Sequence, residues 1–175
     1  MRGFRGRDPL ADPERLIPQV YSYAAYRLGD GPDAEDVTSE VFERAIRYRK
    51  SYDEAKGEPV AWLLGIARRS VDAALADRPR NRVDFEEIAG DDGIEDDSVR
   101  RLTLAAALAE LSERDQELIA LRYGAELTAA QIAQVMELQT NTVEVALHRA
   151  LSRLRAVLEA SEAETAPPLS DAGRL

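Results

Sequence analysis

Eight side chains near one end of the chain have the types and spacing to read DNA. Thr142, Glu144, Val145, His148, Arg149, Ser152, Arg153 and Arg155 share one side of a predicted helix. Its other side is an apolar stripe of Val143, Leu147, Ala150, Leu151, Leu154 and Leu158. A second helix that carries Arg and has small polar residues at its N-terminus is how a helix-turn-helix enters a major groove. The same pattern also suits an ordinary helical hairpin with a solvated outer face, so context decides. A second group, Glu35, Asp36 and Glu40, falls at helical spacing on a face away from Val37 and Val41. These carboxylates are free to meet a basic partner, or they are simply a solvated helix start. No base, metal ligand or second acid converges with them, which disfavours catalysis. With one His, no Cys, no glycine-rich phosphate loop and no metal-ligand cluster, the chain is expected to be no enzyme and to need no metal or cofactor.

The elements that must position these groups are helices. Thr128 and Gln131 stand in the T-x-x-Q spacing of a capping box, so a helix should start at Ala129 and bury Ile132, Ala133 and Met136. Its face breaks at 137–139, Leu138 can plug the corner, and Thr140 or Asn141 can cap the second helix. Upstream, Asp12 before Pro13 opens a helix with Leu16, Ile17, Val20, Tyr21, Ala24 and Leu28 on one face, stopping at Gly29. From about Asp33 acid loads the next helix start, as the helix dipole prefers, and Val37, Val41, Phe42, Ala45 and Tyr48 form its stripe. A loop over 51–59 gives way at Pro59 to a third helix with Trp62, Leu63, Ile66, Val71 and Leu75. Helical patterning returns at Val99, with Leu102, Leu104, Ala105 and Leu108, and Ser112 caps a helix bearing Leu118, Ile119 and Leu121 that ends at Gly124.

Composition and charge divide the 175 residues. Residues 1–82 hold 15 Lys or Arg against 14 Asp or Glu, residues 83–101 hold 2 against 8, and residues 102–175 hold 6 against 11. The net charge of −10 is therefore concentrated in a middle segment and the C-terminal part, so it argues only weakly against a nucleic-acid partner. Too few large apolar side chains punctuate 78–98 to order it. The expected organisation is all-α, in two small helical domains. A flexible basic arm at 1–12 precedes a helical domain at 13–80, and an acidic flexible linker at 81–99 leads to a helix-turn-helix domain at 100–160 with a disordered tail at 161–175. No apolar run spans a bilayer and no signal peptide follows the basic start, so a cytoplasmic protein without membrane contact is expected.

Four pieces then match one family in order. Asp33-Ala34-Glu35-Asp36-Val37, continuing through Glu40-Val41-Phe42 and Arg44-Ala45, resembles the signature helix of region two of the extracytoplasmic-function sigma factors, the smallest promoter-recognition subunits of bacterial RNA polymerase. Trp62-Leu63 with Ile66-Ala67-Arg68 resembles their promoter-melting helix. Residues 111–123 resemble the start of region four, and Leu147-His148-Arg149-Ala150 with Arg153-Leu154-Arg155 the end of its recognition helix. The resemblance covers roughly 12–80 and 102–158. It implies that Asp33, Glu35, Asp36, Glu40, Phe42 and Arg44 dock on core RNA polymerase. It assigns Tyr52, Lys56, Gly57, Trp62, Arg68 and Arg69 to the downstream promoter element and its melting, where capture of a flipped base needs a pocket, an apolar or stacking wall and cations. Trp62 also suits a plain core position. Thr140, Asn141, Thr142, Glu144, Val145, His148, Arg149 and Arg153 would face the upstream element. An anti-sigma factor is an implied partner, with the chain a monomer when free. A linker of about 20 residues reaches on the order of 25 Å, which would let both domains engage promoter elements at once.

The sequence departs from the family pattern at the recognition helix. There Asn141-Thr142-Val143 is followed by Glu144-Val145-Ala146 in place of the usual Lys-Ser-Arg, removing two cations. Glu144 would repel phosphate but can accept from a cytosine amino group, and Val145 can touch a thymine methyl. Glu137 replaces the turn glycine, so an ordinary right-handed backbone is expected there. The leading expectation is a sigma factor that directs promoter recognition and melting in transcription initiation. The alternative is a sigma-like binding module or decoy that engages polymerase or an anti-sigma factor without productive DNA recognition.

Overall fold

Most of the helices begin on a residue that answers or removes their orphan backbone donors. Asp12 accepts from the Arg15 N–H at 3.3 Å, and Pro13 opens α1, Pro13–Leu28, where its missing N–H costs nothing. Gly29, at φ 89°, ends it as expected. Pro32 and Pro59 lead α2, Pro32–Tyr48, and α3, Pro59–Asp77. Two short 3₁₀ turns, Arg49–Ser51 and Glu54–Lys56, occupy the expected loop between them. The computed structural model describes residues 8–78 and 95–165. The basic arm up to residue 7, the acidic linker up to residue 94 and the tail from residue 166 lie outside the described residues.

Helix α4, Glu95–Ala109, begins inside the stretch expected as linker. Ser112 caps α5, Glu113–Ile119, by accepting from the Asp115 N–H at 3.2 Å. The chain then widens into a π-type turn, Ala120–Gly124, with the Ala125 N–H reaching back to the Ala120 carbonyl at 3.0 Å. The capping box opens α6, Ala129–Met136. Gln131 N–H donates to Thr128 Oγ1 at 3.2 Å, and Thr128 N–H donates to Gln131 Oε1 at 2.8 Å.

Two expectations at the corner need correction. Glu137 is left-handed, at φ 56° and ψ 42°, although no glycine stands there. The Leu138 N–H bonds the Ala133 carbonyl at 2.9 Å and the Glu137 N–H bonds the Gln134 carbonyl at 3.4 Å, the pairing of a Schellman motif. Half-buried Leu138 packs into the core beside it, and these gains offset the left-handed backbone. The second helix, α7, Thr140–Thr165, also starts earlier than expected, by one residue for a Thr140 cap and by two for an Asn141 cap. Thr140 is already helical, Asn141 lies inside the helix, and the Gln139 carbonyl accepts from the Val143 N–H at 3.1 Å. At its far end α7 runs five residues into the expected tail, through Ser161 to Thr165.

Among the described residues there is no strand. Helices α1, α2 and α3 bury Val20, Val37, Val41, Leu63, Leu64 and Val71 between them, while Leu118, Leu121, Leu127, Ile132, Val143 and Leu147 bury the second half. The two halves are not separate cores: these residues join in one continuous apolar cluster. A smaller cluster of Leu111, Ile119 and Ala150 forms where α5 meets α7. Ile17 and Tyr48, expected in the core, are 45% and 55% exposed. Leu16 and Val20 set the buried face of α1 and turn Ile17 outward, and Tyr48 lies on the last turn of α2.

Candidate nucleic-acid interface

The outer face of α7 stands as the pattern required. Thr140, Asn141, Thr142, Glu144, Val145, His148 and Arg149 are all exposed, with Val143 and Leu147 buried behind them. That face sits one corner after α6, so its N-terminal turn is free to approach a duplex edge. Arg153 is tied elsewhere. Its Nη1 meets Asp115 Oδ2 at 2.6 Å, and that carboxylate is nearly buried on α5. Arg153 thus braces α7 against α5, and Arg149 is the cation nearest the start of the helix.

The loop and α3 form the second group. Tyr52 and Trp62 meet edge to face, with ring centroids 5.6 Å apart, and the Tyr52 hydroxyl donates to the Gly57 carbonyl at 3.0 Å. Gly57 adopts φ 149°, a conformation open to glycine. A cleft of about 380 Å³ opens here, lined by Tyr52, Glu54, Ala55, Gly57, Glu58, Pro59 and Gln134. Trp62 is half-buried against the core and also lines the next groove, so it joins both readings of that residue. Lys56 is exposed, with a loose contact to Asp53 at 3.7 Å, and Arg69 is exposed. Arg68 is not: its Nε and Nη2 donate to the two oxygens of Glu117 at 2.5 and 3.2 Å, and its Nη1 donates to the Val135 carbonyl at 3.1 Å. Burial works against the Arg68 charge, but the hydrogen bond and field of Glu117 outweigh it and raise its pKa.

On α2, Glu35 and Asp36 are exposed, and Glu40 pairs with Arg44 at 2.5 Å. Phe42 is half-buried against the core. Asp33 bonds Arg78 beyond the end of α3, whose Nη2 also donates to the Leu28 carbonyl at 2.8 Å. This helix start is therefore stapled across the three-helix bundle. Among the described residues no group of three metal-ligating side chains forms, and no helix is long and apolar enough to cross a membrane.

Residues 14–80 match the family description Sigma-70 region 2, and residues 101–154 match Sigma-70, region 4. The ECF RNA polymerase sigma factor SigK of Mycobacterium ulcerans is 31% identical over 159 residues, which cover 85% of this chain and 84% of that protein. The chain belongs to the ECF RNA polymerase sigma factors. This sigma factor is also 33% identical to BldN of Streptomyces coelicolor over 147 residues, 79% of its length and 56% of the longer relative. Its fold matches that of the sigma factor RpoE of Bartonella quintana, solved with the anti-sigma factor NepR, at a TM-score of 0.64 and 21% identity over 82% of this chain and 92% of that one. In the sigma factor, sequence reasoning missed Glu117, Asp115 and Arg78, the partners of three residues it had picked out. All three pairs join residues 38 to 49 positions apart, and no local pattern signals them.

Proposed function

We propose that this sigma factor binds bacterial core RNA polymerase and directs it to promoter DNA, with each half reading a separate element. The carrying observation is the pairing of two surfaces in one chain. An exposed, Arg-bearing α7 face follows a capped α6, and it is preceded by a loop cleft walled by Tyr52 and, on α3, by a groove lined by Trp62, Arg68 and Arg69. The α2 face, with Glu35, Asp36, Glu40 and Arg44, is the docking surface for polymerase. Asp33 and Phe42 hold that helix in place more than they touch a partner. Tyr52, Lys56, Gly57, Trp62, Arg68 and Arg69 serve the downstream, melted element, where stacking and phosphate contacts are needed together. On α7, Thr140, Asn141, Thr142, Glu144, Val145, His148 and Arg149 serve the upstream element, with Arg153 at the edge of the contact.

The protein is not itself an enzyme; it lends specificity to one, in the cytoplasm. An anti-sigma protein is a further partner, as in the solved relative. Because Glu144 removes positive charge from α7, polymerase binding supplies most of the affinity and α7 selects sequence once tethered. The test is to combine the purified chain with core polymerase and a promoter library and map transcript 5′ ends. Starts clustered at a shared sequence support this reading. Tight polymerase binding with no such starts would leave the decoy reading instead.

A further inference from the structure

The outward face of α7 has a centre, and an apolar side chain stands on it. At roughly 100° per residue, Val143, Leu147 and Ala150 lie about 140–160° round the helix from Val145, and all three are buried. Val145 therefore points directly away from the core. Asn141, Thr142, His148, Arg149 and Ser152, all exposed, surround it within about 60° on either side. Its neighbour Ala146 packs on the core, whereas Val145 is 44% exposed. Neither packing nor propensity explains a β-branched residue there, because its stiff side chain lowers helix preference.

Glu144 flanks this centre, and the fold gives it equally little to do. It lies beyond the first turn of α7, which holds no acid, so the helix dipole does little for it. Among the described residues no cation pairs with it: Thr140 stands one turn before it and His148 one turn after, and Arg153 is held by Asp115. A lone carboxylate facing a duplex repels phosphate. It favours binding only where a base edge offers a donor. Adenine presents its amino group beside the N7 acceptor, which a carboxylate cannot answer, whereas cytosine presents the N4 donor alone. Val145, with no polar atom, gains only from apolar contact, and the apolar group in the major groove is the thymine C5-methyl.

We propose that α7 selects its promoter element through a thymine methyl beneath Val145 and a cytosine amino group at Glu144. Consecutive residues have Cα atoms about 3.8 Å apart, so the two bases lie within about two base pairs of each other, on one strand or on opposite strands. Glu144 then serves as a selector: it weakens contact with every sequence that lacks the cytosine and is compensated where the cytosine stands. This rests on the promoter reading of α7 given above.

The test uses the full chain assembled with core RNA polymerase. Initiating sequences are selected from a library randomised over the upstream element, and the selected block is expected to hold a thymine with a cytosine close by. Each thymine of the best promoter is then replaced singly by deoxyuridine, which keeps the pairing and removes only the methyl. At one position the parent is expected to lose about fourfold in initiation, the worth of one methyl taken out of water, whereas Val145→Ala initiates equally from both templates. Replacing the cytosine pair is expected to cost the parent about fivefold or more, and Glu144→Ala is expected to lose that preference alone. Both substitutions fall on exposed helix positions, and Ala is the better helix former, so the fold is kept. A block without thymine, deoxyuridine without effect at every position, or a Glu144→Ala variant that gains uniformly on all sequences and keeps the cytosine preference would overturn the inference alone. No specific starts from the parent would bring down the promoter reading, and this inference with it.

Discussion

Tyr23 shows what a single buried residue contributes beyond the apolar pattern. It lies outside the stripe read from α1, yet it is fully buried, and its hydroxyl has no protein partner. Burial, with a further push from Glu117, raises its pKa far above the usual tyrosine value. Because the folded state holds the proton more tightly, the stability it lends is complete below about pH 10, the unfolded value, and is lost as pH climbs above it. Tyr23→Phe removes an unsatisfied hydroxyl and is expected to stabilise the fold by about 1 kcal/mol at neutral pH. Its advantage over the parent should widen above about pH 10, which urea unfolding across pH checks. Glu137 gives a second case. Relief of a left-handed non-glycine backbone is worth about 1–2 kcal/mol, less about 0.4–1 kcal/mol for the greater freedom of an unfolded glycine. Glu137→Gly is thus expected to raise the denaturation midpoint slightly, and a fall would show that the side chain itself holds the corner. At this scale the sequence disclosed which residues of α7 face outward, because one helix period decides that. It could not disclose that Arg68 and Arg153 each bind a carboxylate, since only the fold brings those partners within reach.

The helices were the most legible level, because their ends are local chemistry. Asp12, Pro13, Gly29, Pro59, Ser112 and the Thr128–Gln131 box all act at the positions where their types predicted. Thr128→Ala is expected to cost about 1 kcal/mol, and amide exchange should quicken first in α6. The start of α4 and the end of α7 were misplaced for a shared reason: polar composition was read as a sign of linker or tail. Polar composition alone ends no helix: α4 begins at Glu95 inside the first stretch and α7 runs to Thr165 inside the second. Between elements, the Asp115–Arg153 pair joins α5 to the recognition helix. Arg153→Ala leaves a buried carboxylate unpaired and is expected to destabilise by about 1–3 kcal/mol. Arg153→Lys should recover part of that loss, whereas a role confined to DNA would leave stability unchanged in both variants.

For the molecule as a whole, the two matched regions were readable and their contact was not. Family motifs mark each half, and one continuous core joins them through residues distant in sequence. Buried Gly124, where a Cβ would crowd the Ser22 carbonyl and the Tyr26 ring, lies at that contact, and in the sequence it looked like a helix stop. The central claim is that the two halves read separate promoter elements on one polymerase. It is tested most directly by selecting initiating sequences from a library randomised on both sides of the spacer, using the parent, Arg69→Ala and Arg149→Ala. The account predicts two blocks of preferred bases at fixed separation, with Arg149→Ala relaxing only the upstream block and Arg69→Ala weakening use of only the downstream one. A single block, or two blocks that neither substitution alters, would contradict it.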